Sequence, residues 1–137
     1  MTLHPADVKD EELRALLEAA NAALDEGRNR ACVERCAEAY LRALKKFPPL
    51  RRGLERSLAN EEVKAGIEAG VIRVAPFMWP RFAAKLDMSG AEPRITFDRA
   101  SVSFTEAIQY YEFTLNIIVE AEKGEFTNAR RFAGQGA

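Results

Sequence analysis

The strongest constraint on the fold is an amphipathic segment at residues 29–47, NRACVERCAEAYLRALKKF. Its apolar residues recur at spacings of three and four, as one face of an α-helix requires. These residues are Val33, Cys36, Ala37, Tyr40, Leu44 and Phe47. We expect the side-chain oxygen of Asn29 to cap this helix, and the following Pro48 and Pro49 to end it.

A second stripe with the same spacing lies twenty residues earlier in the chain. It consists of Leu13, Leu16, Leu17, Ala20 and Leu24. Asp7 or Asp10 is placed to cap a helix that runs to about Asp25, and Gly27 can adopt the left-handed conformation that ends helices. Two matched stripes joined by a short turn predict an antiparallel helical hairpin.

Length and composition place the chain among globular domains. Its 137 residues are enough for one domain with a single core, and 47% hydrophobic with 30% charged residues suits a soluble protein. The formal net charge of -1 gives no overall attraction to nucleic acid or lipid. No apolar run approaches the roughly 20 residues of a membrane span, and the acidic start does not resemble a signal peptide. We therefore expect a cytoplasmic protein without membrane contact.

The segment after the two prolines is predicted to form two short helices. Leu50, Leu54 and Leu58 share one helical face, and Asn60 is placed to cap a second helix that ends near Gly70. These pieces would connect the helical hairpin to the rest of the chain.

An aromatic cluster follows at residues 77–82, where Phe77, Met78, Trp79 and Phe82 lie close together in the sequence. Such a cluster either plugs the open end of a helical bundle or lines a ligand pocket, and we favour the plug. Pro80 suits a first helical position, which predicts a short helix at about residues 80–86. Residues 87–99, DMSGAEPRITFDR, are predicted to form a mobile loop with a short extended piece at 95–97.

The last long helix is predicted to begin near Ser103, which stands three residues before Glu106 as in a capping box, and to end at Lys123 and Gly124. Its stripe contains Phe104, Ala107, Ile108, Tyr111, Leu115 and Ile118, and is widened by Tyr110, Phe113, Ile117 and Val119. A helix with so wide an apolar surface is central or lies at a subunit interface.

The fold class predicted from these elements is all-α. We expect a helical bundle built from a long antiparallel helical hairpin, short middle helices and a long C-terminal helix. Residues 1–124 would form a single helical domain, and residues 125–137 a flexible C-terminal tail. Tyr110, Phe113 and Ile117 are the candidate interface residues on the last helix.

Residues suited to catalysis or metal binding are scarce. The single histidine, His4, stands near the N-terminus, and Cys32 and Cys36 lie one helical turn apart, a poor geometry for a disulfide. No zinc-binding set, phosphate-binding glycine loop or nucleophile–base pair is recognisable. We therefore assign no catalytic residue, metal or cofactor, and interpret the cysteines as core residues in preference to reactive ones. An enzyme with an unrecognised site is the least favoured interpretation.

Charge is distributed unevenly along the chain. Residues 28–58 contain nine basic and three acidic residues, whereas residues 1–27 contain two basic and seven acidic residues. The candidate phosphate- or partner-binding residues are Lys45, Lys46, Arg51, Arg52 and Arg56, which we call the basic cluster. The alternative, which we favour, is that these cations complement the helix dipole and the acidic first helix.

Two stretches resemble the HEPN superfamily of small helical bundles. Residues 26–44, EGRNRACVERCAEAYLRAL, resemble its short-turn hairpin, whose second helix carries small residues, an Ala-Glu pair and a basic-Ala-Leu ending. Residues 103–122, SFTEAIQYYEFTLNIIVEAE, resemble its last long helix.

Many HEPN proteins are ribonucleases that carry an arginine followed four to six residues later by a histidine. Here Arg99 is followed at those positions by Ser103, Phe104 and Thr105. The resemblance therefore implies a member without the nuclease motif. Such members are expected to bind nucleotidyltransferase-like partners or to self-associate.

The function predicted from the sequence is that of a non-catalytic helical interaction or scaffold module, either a homodimer or the partner of another protein. The alternative is an RNA- or nucleotide-binding protein that uses the basic cluster. Nucleic acid is the less favoured partner because the net charge is close to zero.

Overall fold

The computed structural model describes residues 3–68, Phe77 and residues 83–124. This part of the chain contains five α-helices and one two-stranded sheet, so the predicted predominantly all-α bundle is confirmed. The elements are α1 (Glu11–Asp25), α2 (Asn29–Lys46), α3 (Pro48–Ala59), α4 (Glu61–Glu68), β1 (Ala84–Asp87), β2 (Arg94–Phe97) and α5 (Phe104–Glu122), with a short 3-10 helix (Pro5–Asp7) before α1. Gly70, the aromatic cluster after Phe77 and the expected tail at 125–137 lie outside the described residues.

Helices α1 and α2 form the predicted antiparallel hairpin. Asp10 caps α1, because its Oδ1 accepts a hydrogen bond from Leu13 N at 3.0 Å. Gly27 has a φ of 76°, the left-handed conformation expected at the turn. Lys46, at the end of α2, lies 2.8 Å from Asp10 at the start of α1, which shows that the two helices run in opposite directions.

The predicted cap of α2 is wrong. Asn29 is the first residue of the helix, and Arg28 precedes it without a side-chain capping bond. The Asn29 side chain instead donates from Nδ2 to Val102 O at 3.1 Å, across 73 positions of the chain. This bond orients the amide, and the Oδ1 atom that was predicted to cap the helix is buried without a hydrogen-bond partner among the described residues.

Helix α5 packs on the hairpin and completes the core. The Glu122 carboxylate at its end accepts hydrogen bonds from Lys9 N and Asp10 N, both at 2.7 Å. The bond from Asn29 to Val102 brings the beginning of α5 to the beginning of α2. Helix α5 is therefore antiparallel to α1 and parallel to α2, and residues 47–103 form the crossover between them.

The core lies where α1, α2 and α5 meet. The predicted stripes supply it, with Leu13 and Leu17 from α1, Val33 from α2 and Leu115 and Ile118 from α5 all buried. Burying one such side chain stabilises the fold by about 1.5–3 kcal/mol relative to leaving it exposed. The contacts among these three helices are thus the main source of stability.

The crossover begins with the two predicted short helices. Leu50 and Leu54 of α3 are buried and Leu58 is half-buried, while Pro48 occupies the first helical position. Asn60 Oδ1 accepts a hydrogen bond from Glu62 N at 3.0 Å and so caps α4 as predicted. In the described part of the chain, no helix is both long and apolar enough to cross a lipid bilayer.

The prediction of a short helix through residue 86 is wrong, because β1 occupies 84–87. Strand β1 pairs antiparallel with β2, and the register joins Ala84 to Phe97 and Leu86 to Ile95. The extended piece predicted at 95–97 is confirmed as part of β2. The region predicted as a mobile loop is thus mainly a β-hairpin, held in place by backbone contacts that local sequence does not reveal.

Candidate interaction surface

The basic cluster is partly neutralised by acidic residues from elsewhere in the chain. Lys46 Nζ lies 2.8 Å from Asp10 Oδ2 and 3.2 Å from Glu12 Oε1. The hydrogen bond from Lys46 and the bond from Leu13 N lower the pKa of Asp10, and the bond to Asp10 raises the pKa of Lys46. The acidic start of α1 therefore sits against the basic end of α2.

Two further members of the basic cluster also have acidic neighbours. Lys45 Nζ lies 3.7 Å from Glu92 in the hairpin turn, and Arg51 Nε lies 3.8 Å from Glu55 one turn along α3. Arg52 and Arg56 are exposed on α3, and the described part of the chain provides no ion pair for either. Within the described residues, Arg52 and Arg56 are thus the two members of the basic cluster without an ion-pair partner.

The predicted interface residues on α5 have different environments. Tyr110 is fully buried, and its ring lies 4.8 Å from that of Phe77, which in turn lies 5.1 Å from Tyr40. The burial of Phe77 favours the plug interpretation at that residue. Ile117 is also buried, and Phe113 is half-buried. The wide apolar surface of α5 is thus used mostly within the chain, with Phe113 at its margin.

The Tyr110 hydroxyl is bonded within the chain and does not face an interface. It accepts a hydrogen bond from Ala84 N at 3.2 Å and donates one to Ala84 O at 2.8 Å. Burial raises the pKa of Tyr110 well above its ordinary value. The hydroxyl therefore remains protonated and fastens β1 to α5.

Glu106 provides a second attachment one helical turn earlier. Its buried carboxylate accepts from Ala83 N at 2.8 Å through Oε2 and pairs with Arg99 at 2.6 Å through Oε1. This bond raises the pKa of Arg99. The Ser103 half of the predicted capping box is present, since Ser103 Oγ accepts from Glu106 N at 3.1 Å. The Glu106 half is replaced by the bonds to Ala83 and Arg99.

Arg30 of α2 contacts strand β2 of the β-hairpin. Its guanidinium carbon lies 4.3 Å from the ring centroid of Phe97, a cation–π contact. The same group donates to Arg99 O and Ala100 O, both at 3.1 Å. The hairpin is therefore fixed against both α2 and α5.

The backbone hydrogen bonds of the hairpin determine which groups face outward. Asp98 N donates to Ala83 O at 2.9 Å, so Ala83 and Asp98 occupy a hydrogen-bonded position of the ladder, although Ala83 N donates to Glu106 in place of the second bond. Hydrogen-bonded and non-hydrogen-bonded pairs alternate along an antiparallel ladder. The next pair, Ala84 with Phe97, must therefore direct its N–H and C=O groups away from the hairpin. The same holds for Ile95.

The two outer edges of the hairpin have different surroundings. On β1, the outward groups of Ala84 are bonded to the Tyr110 hydroxyl. On β2, no described residue provides a hydrogen bond to the outward groups of Ile95 or Phe97. Strand β2 thus presents an edge that can accept another strand. We call these outward groups and the side chains of residues 94–98 the β2 edge.

Sequence reasoning missed the β2 edge, although a signal was present. Arg94, Thr96 and Asp98 alternate with Ile95 and Phe97, the period of two that is typical of a half-buried strand. The structure follows this pattern, since Arg94 and Thr96 are exposed whereas Ile95 and Phe97 are half-buried. The attachment by Glu106 and Tyr110 carries no local signal.

The two cysteines and His4 lie in different environments. Cys32 and Cys36 are buried free thiols, and burial raises the pKa of Cys36. His4 is exposed. Among the described residues no group of three or more His, Cys, Asp or Glu side chains could hold a metal ion.

Two of the positions relevant to the HEPN resemblance, Arg99 and Ser103, have structural roles here. Arg99 is paired with Glu106, Ser103 caps α5, and Phe104 is 53% exposed. Comparisons with family models, curated proteins and solved structures find no match to this chain. The resemblance therefore stays a prediction.

Proposed function

We propose that this chain is a non-catalytic helical interaction module that self-associates. The observation that carries the proposal is the β2 edge, which belongs to a hairpin fixed on α2 and α5 but has no strand of the described chain bonded to its outward groups. Adding a strand to such an edge gives affinity through main-chain hydrogen bonds without any special chemistry. An anchored hairpin also loses little freedom on binding.

The internal use of the polar side chains supports the same proposal. Both oxygens of Glu106 are bonded, and the Tyr110 hydroxyl donates one hydrogen bond and accepts another. Arg99 pairs with Glu106, and Arg30 donates to Arg99 O and lies over the Phe97 ring. These groups hold a surface in position, which is the contribution that a scaffold requires.

The test is the mass of the purified chain in solution at low and high salt, measured by light scattering after size exclusion. Strand pairing rests on backbone bonds and apolar contact, which salt screens little, so a dimer is expected under both conditions. A chain that stays monomeric at about 100 µM under both conditions would contradict self-association, since its dimer Kd would then lie well above that concentration.

RNA or nucleotide binding is a second candidate, favoured by the exposed Arg52 and Arg56 on α3. Lys123, an exposed cation at the end of α5, offers a matched control. If this function is correct, Arg52→Glu with Arg56→Glu should abolish binding of single-stranded RNA, Lys123→Glu should not, and wild-type affinity should fall steeply with salt. Equal binding by all three proteins would refute this candidate.

A further inference from the structure

The sequence of the β2 edge is complementary to itself when it is read in the opposite direction. It runs Arg94, Ile95, Thr96, Phe97, Asp98, with a cation at one end, an anion at the other and an apolar residue on each side of the central threonine. We propose that two copies of this chain join by antiparallel pairing of their β2 strands about a two-fold axis at Thr96. The proposal rests on the self-association proposed above and names its contact surface.

This pairing matches the backbone groups. With the axis at Thr96, Ile95 of one copy faces Phe97 of the other, and these are the residues whose N–H and C=O groups point outward. Each facing pair exchanges two hydrogen bonds, as in any hydrogen-bonded antiparallel pair. The two hairpins thereby become one four-stranded sheet, in which all outward groups of Ile95 and Phe97 are satisfied.

The charges also match in this register. Arg94 of one copy stands directly opposite Asp98 of the other, and symmetry repeats the pair. Both side chains are accessible, being 68% and 52% exposed. Opposite charges that face each other across strands are stabilising, whereas like charges are destabilising.

The existing ion pairs of these residues extend the match. Within one chain Arg94 lies 3.0 Å from Asp87, and Asp98 lies 3.8 Å from Lys85. The side chains of Lys85, Asp87, Arg94 and Asp98 all lie on the same face of the sheet. Pairing of two copies therefore continues an alternation of positive and negative side chains across that face. No like charges are brought together.

The neighbouring symmetric registers are less favourable. Moving the axis to Ile95 brings Glu92 opposite Asp98, two like charges, and sets Phe97 against Pro93, which has no N–H to donate. Moving it to Phe97 sets Ile95 against Arg99, whose carbonyl already accepts from Arg30 at 3.1 Å. A register with the axis at Thr96 uses the outward groups without either conflict.

The apolar side chains give the two-fold a second contact. Ile95 and Phe97 are half-buried in the single chain, on the face of the hairpin that packs toward the helices. Facing Ile95 with Phe97 of the second copy places an aliphatic and an aromatic side chain in a favourable cross-strand pair, twice by symmetry. A second copy of this chain is therefore the occupant that fits the β2 edge.

Cysteine substitution at the axis tests the geometry. Thr96 of one copy lies directly opposite Thr96 of the other, as a non-hydrogen-bonded pair. Their Cα atoms are then about 4.5 Å apart, a separation that a disulfide can bridge. Oxidised Thr96→Cys is expected to run as a covalent dimer. Thr105→Cys, exposed on α5, is the matched control and should stay monomeric on a denaturing gel. The native Cys32 and Cys36 are buried and do not compete.

Charge exchange tests the register independently of cross-linking. Arg94→Asp alone, or Asp98→Arg alone, sets like charges opposite each other twice and should raise the dimer Kd on the order of tenfold or more. The double variant restores opposite charges between the copies, but each new side chain then faces a like charge of its own chain, at Asp87 or Lys85. Its Kd should therefore fall clearly below that of either single variant without reaching that of wild type. Far-UV circular dichroism checks that each variant retains the helical fold.

The outcomes separate this inference from the proposed function. A wild-type dimer with Thr96→Cys cross-linking and charge rescue supports both. A wild-type dimer that shows neither effect overturns pairing at the β2 edge and leaves self-association intact on another surface. A wild-type monomer, with no cross-link in Thr96→Cys, overturns both.

Discussion

Replacing Tyr110 with phenylalanine should weaken the attachment of the hairpin to α5 and lower the free energy of unfolding. The substitution removes one oxygen atom and keeps the ring, so the contact with Phe77 at 4.8 Å is preserved. It removes both hydrogen bonds to Ala84, from N at 3.2 Å and to O at 2.8 Å. The effect therefore reports on the hydroxyl rather than on packing.

The magnitude follows from what is left behind. Ala84 is fully buried, so its N–H and C=O groups lose their partner without gaining water. An unsatisfied buried polar group costs about 1–3 kcal/mol, and two such groups give roughly 2–6 kcal/mol if the structure does not adjust. Local detachment of β1 would let water reach both groups, and this would limit the decrease in the free energy of unfolding. We expect a decrease of about 2–4 kcal/mol.

Urea unfolding followed by far-UV circular dichroism, at one fixed protein concentration, measures this change. Tyr111→Phe is the matched control, since Tyr111 is also buried but no described residue bonds its hydroxyl. We expect the control to lose less than about 0.5 kcal/mol. If Tyr110→Phe lowers the free energy of unfolding no more than Tyr111→Phe does, the Tyr110 hydroxyl does not hold the β-hairpin on α5.

Three further predictions concern ionisable groups. Hydrogen bonds from the Ser89 hydroxyl and N–H, and from Arg94, lower the pKa of Asp87 to about 2 from its ordinary 3.8. The stabilisation is thus present above pH 3.8 and is lost as the pH falls toward 2, and Ser89→Ala should raise this pKa in an NMR titration. Lys46→Gln should raise the lowered pKa of Asp10, so that acid unfolding begins at a higher pH than in wild type. Because burial raises the pKa of Cys36, a thiol reagent at pH 8 should label it only after urea unfolding, and rapid native labelling would contradict its core position.

The long helices could be predicted from the sequence because their signals are local. The stripes of α1 and α2 recur within a single turn, and Asp10 and Gly27 act on groups within a few residues of themselves. The topology of the helical hairpin could be predicted because the connection between α1 and α2 is short, and helices joined by a short connection pack antiparallel. Such features need no knowledge of distant partners.

The failures all involve partners far away in the sequence. Asn29 bonds to Val102, 73 positions distant, and a local capping rule could not weigh that acceptor. Tyr110 bonds to Ala84, 26 positions away. A wide apolar stripe looks the same whether a neighbouring element or a second subunit covers it, so its central position could not be deduced.

The β-hairpin shows a different limit of prediction from sequence. Each strand has only four residues, so the alternation seen in β2 is a weak signal that does not reveal which strand it pairs with. Two side chains of α5 hold the start of this hairpin, since Glu106 bonds to Ala83 N just before β1 and Tyr110 bonds to Ala84. The structure of this segment is thus determined by a helix that follows it in the chain.

Tyr110 also makes the two edges of the β-hairpin unequal, because it occupies the β1 edge at Ala84. A two-stranded sheet begins with two open edges, and each can pair with another chain. Tyr110 bonds both outward groups of Ala84, so a strand approaching β1 would have to displace a buried hydroxyl. Strand β2 has Arg30 over the Phe97 ring, on one face, and leaves the edge itself without a described partner. Pairing of two β2 strands about a two-fold axis uses the same surface on both copies, so it produces a closed pair of chains, with the β1 strands and the Tyr110 bonds at Ala84 outermost.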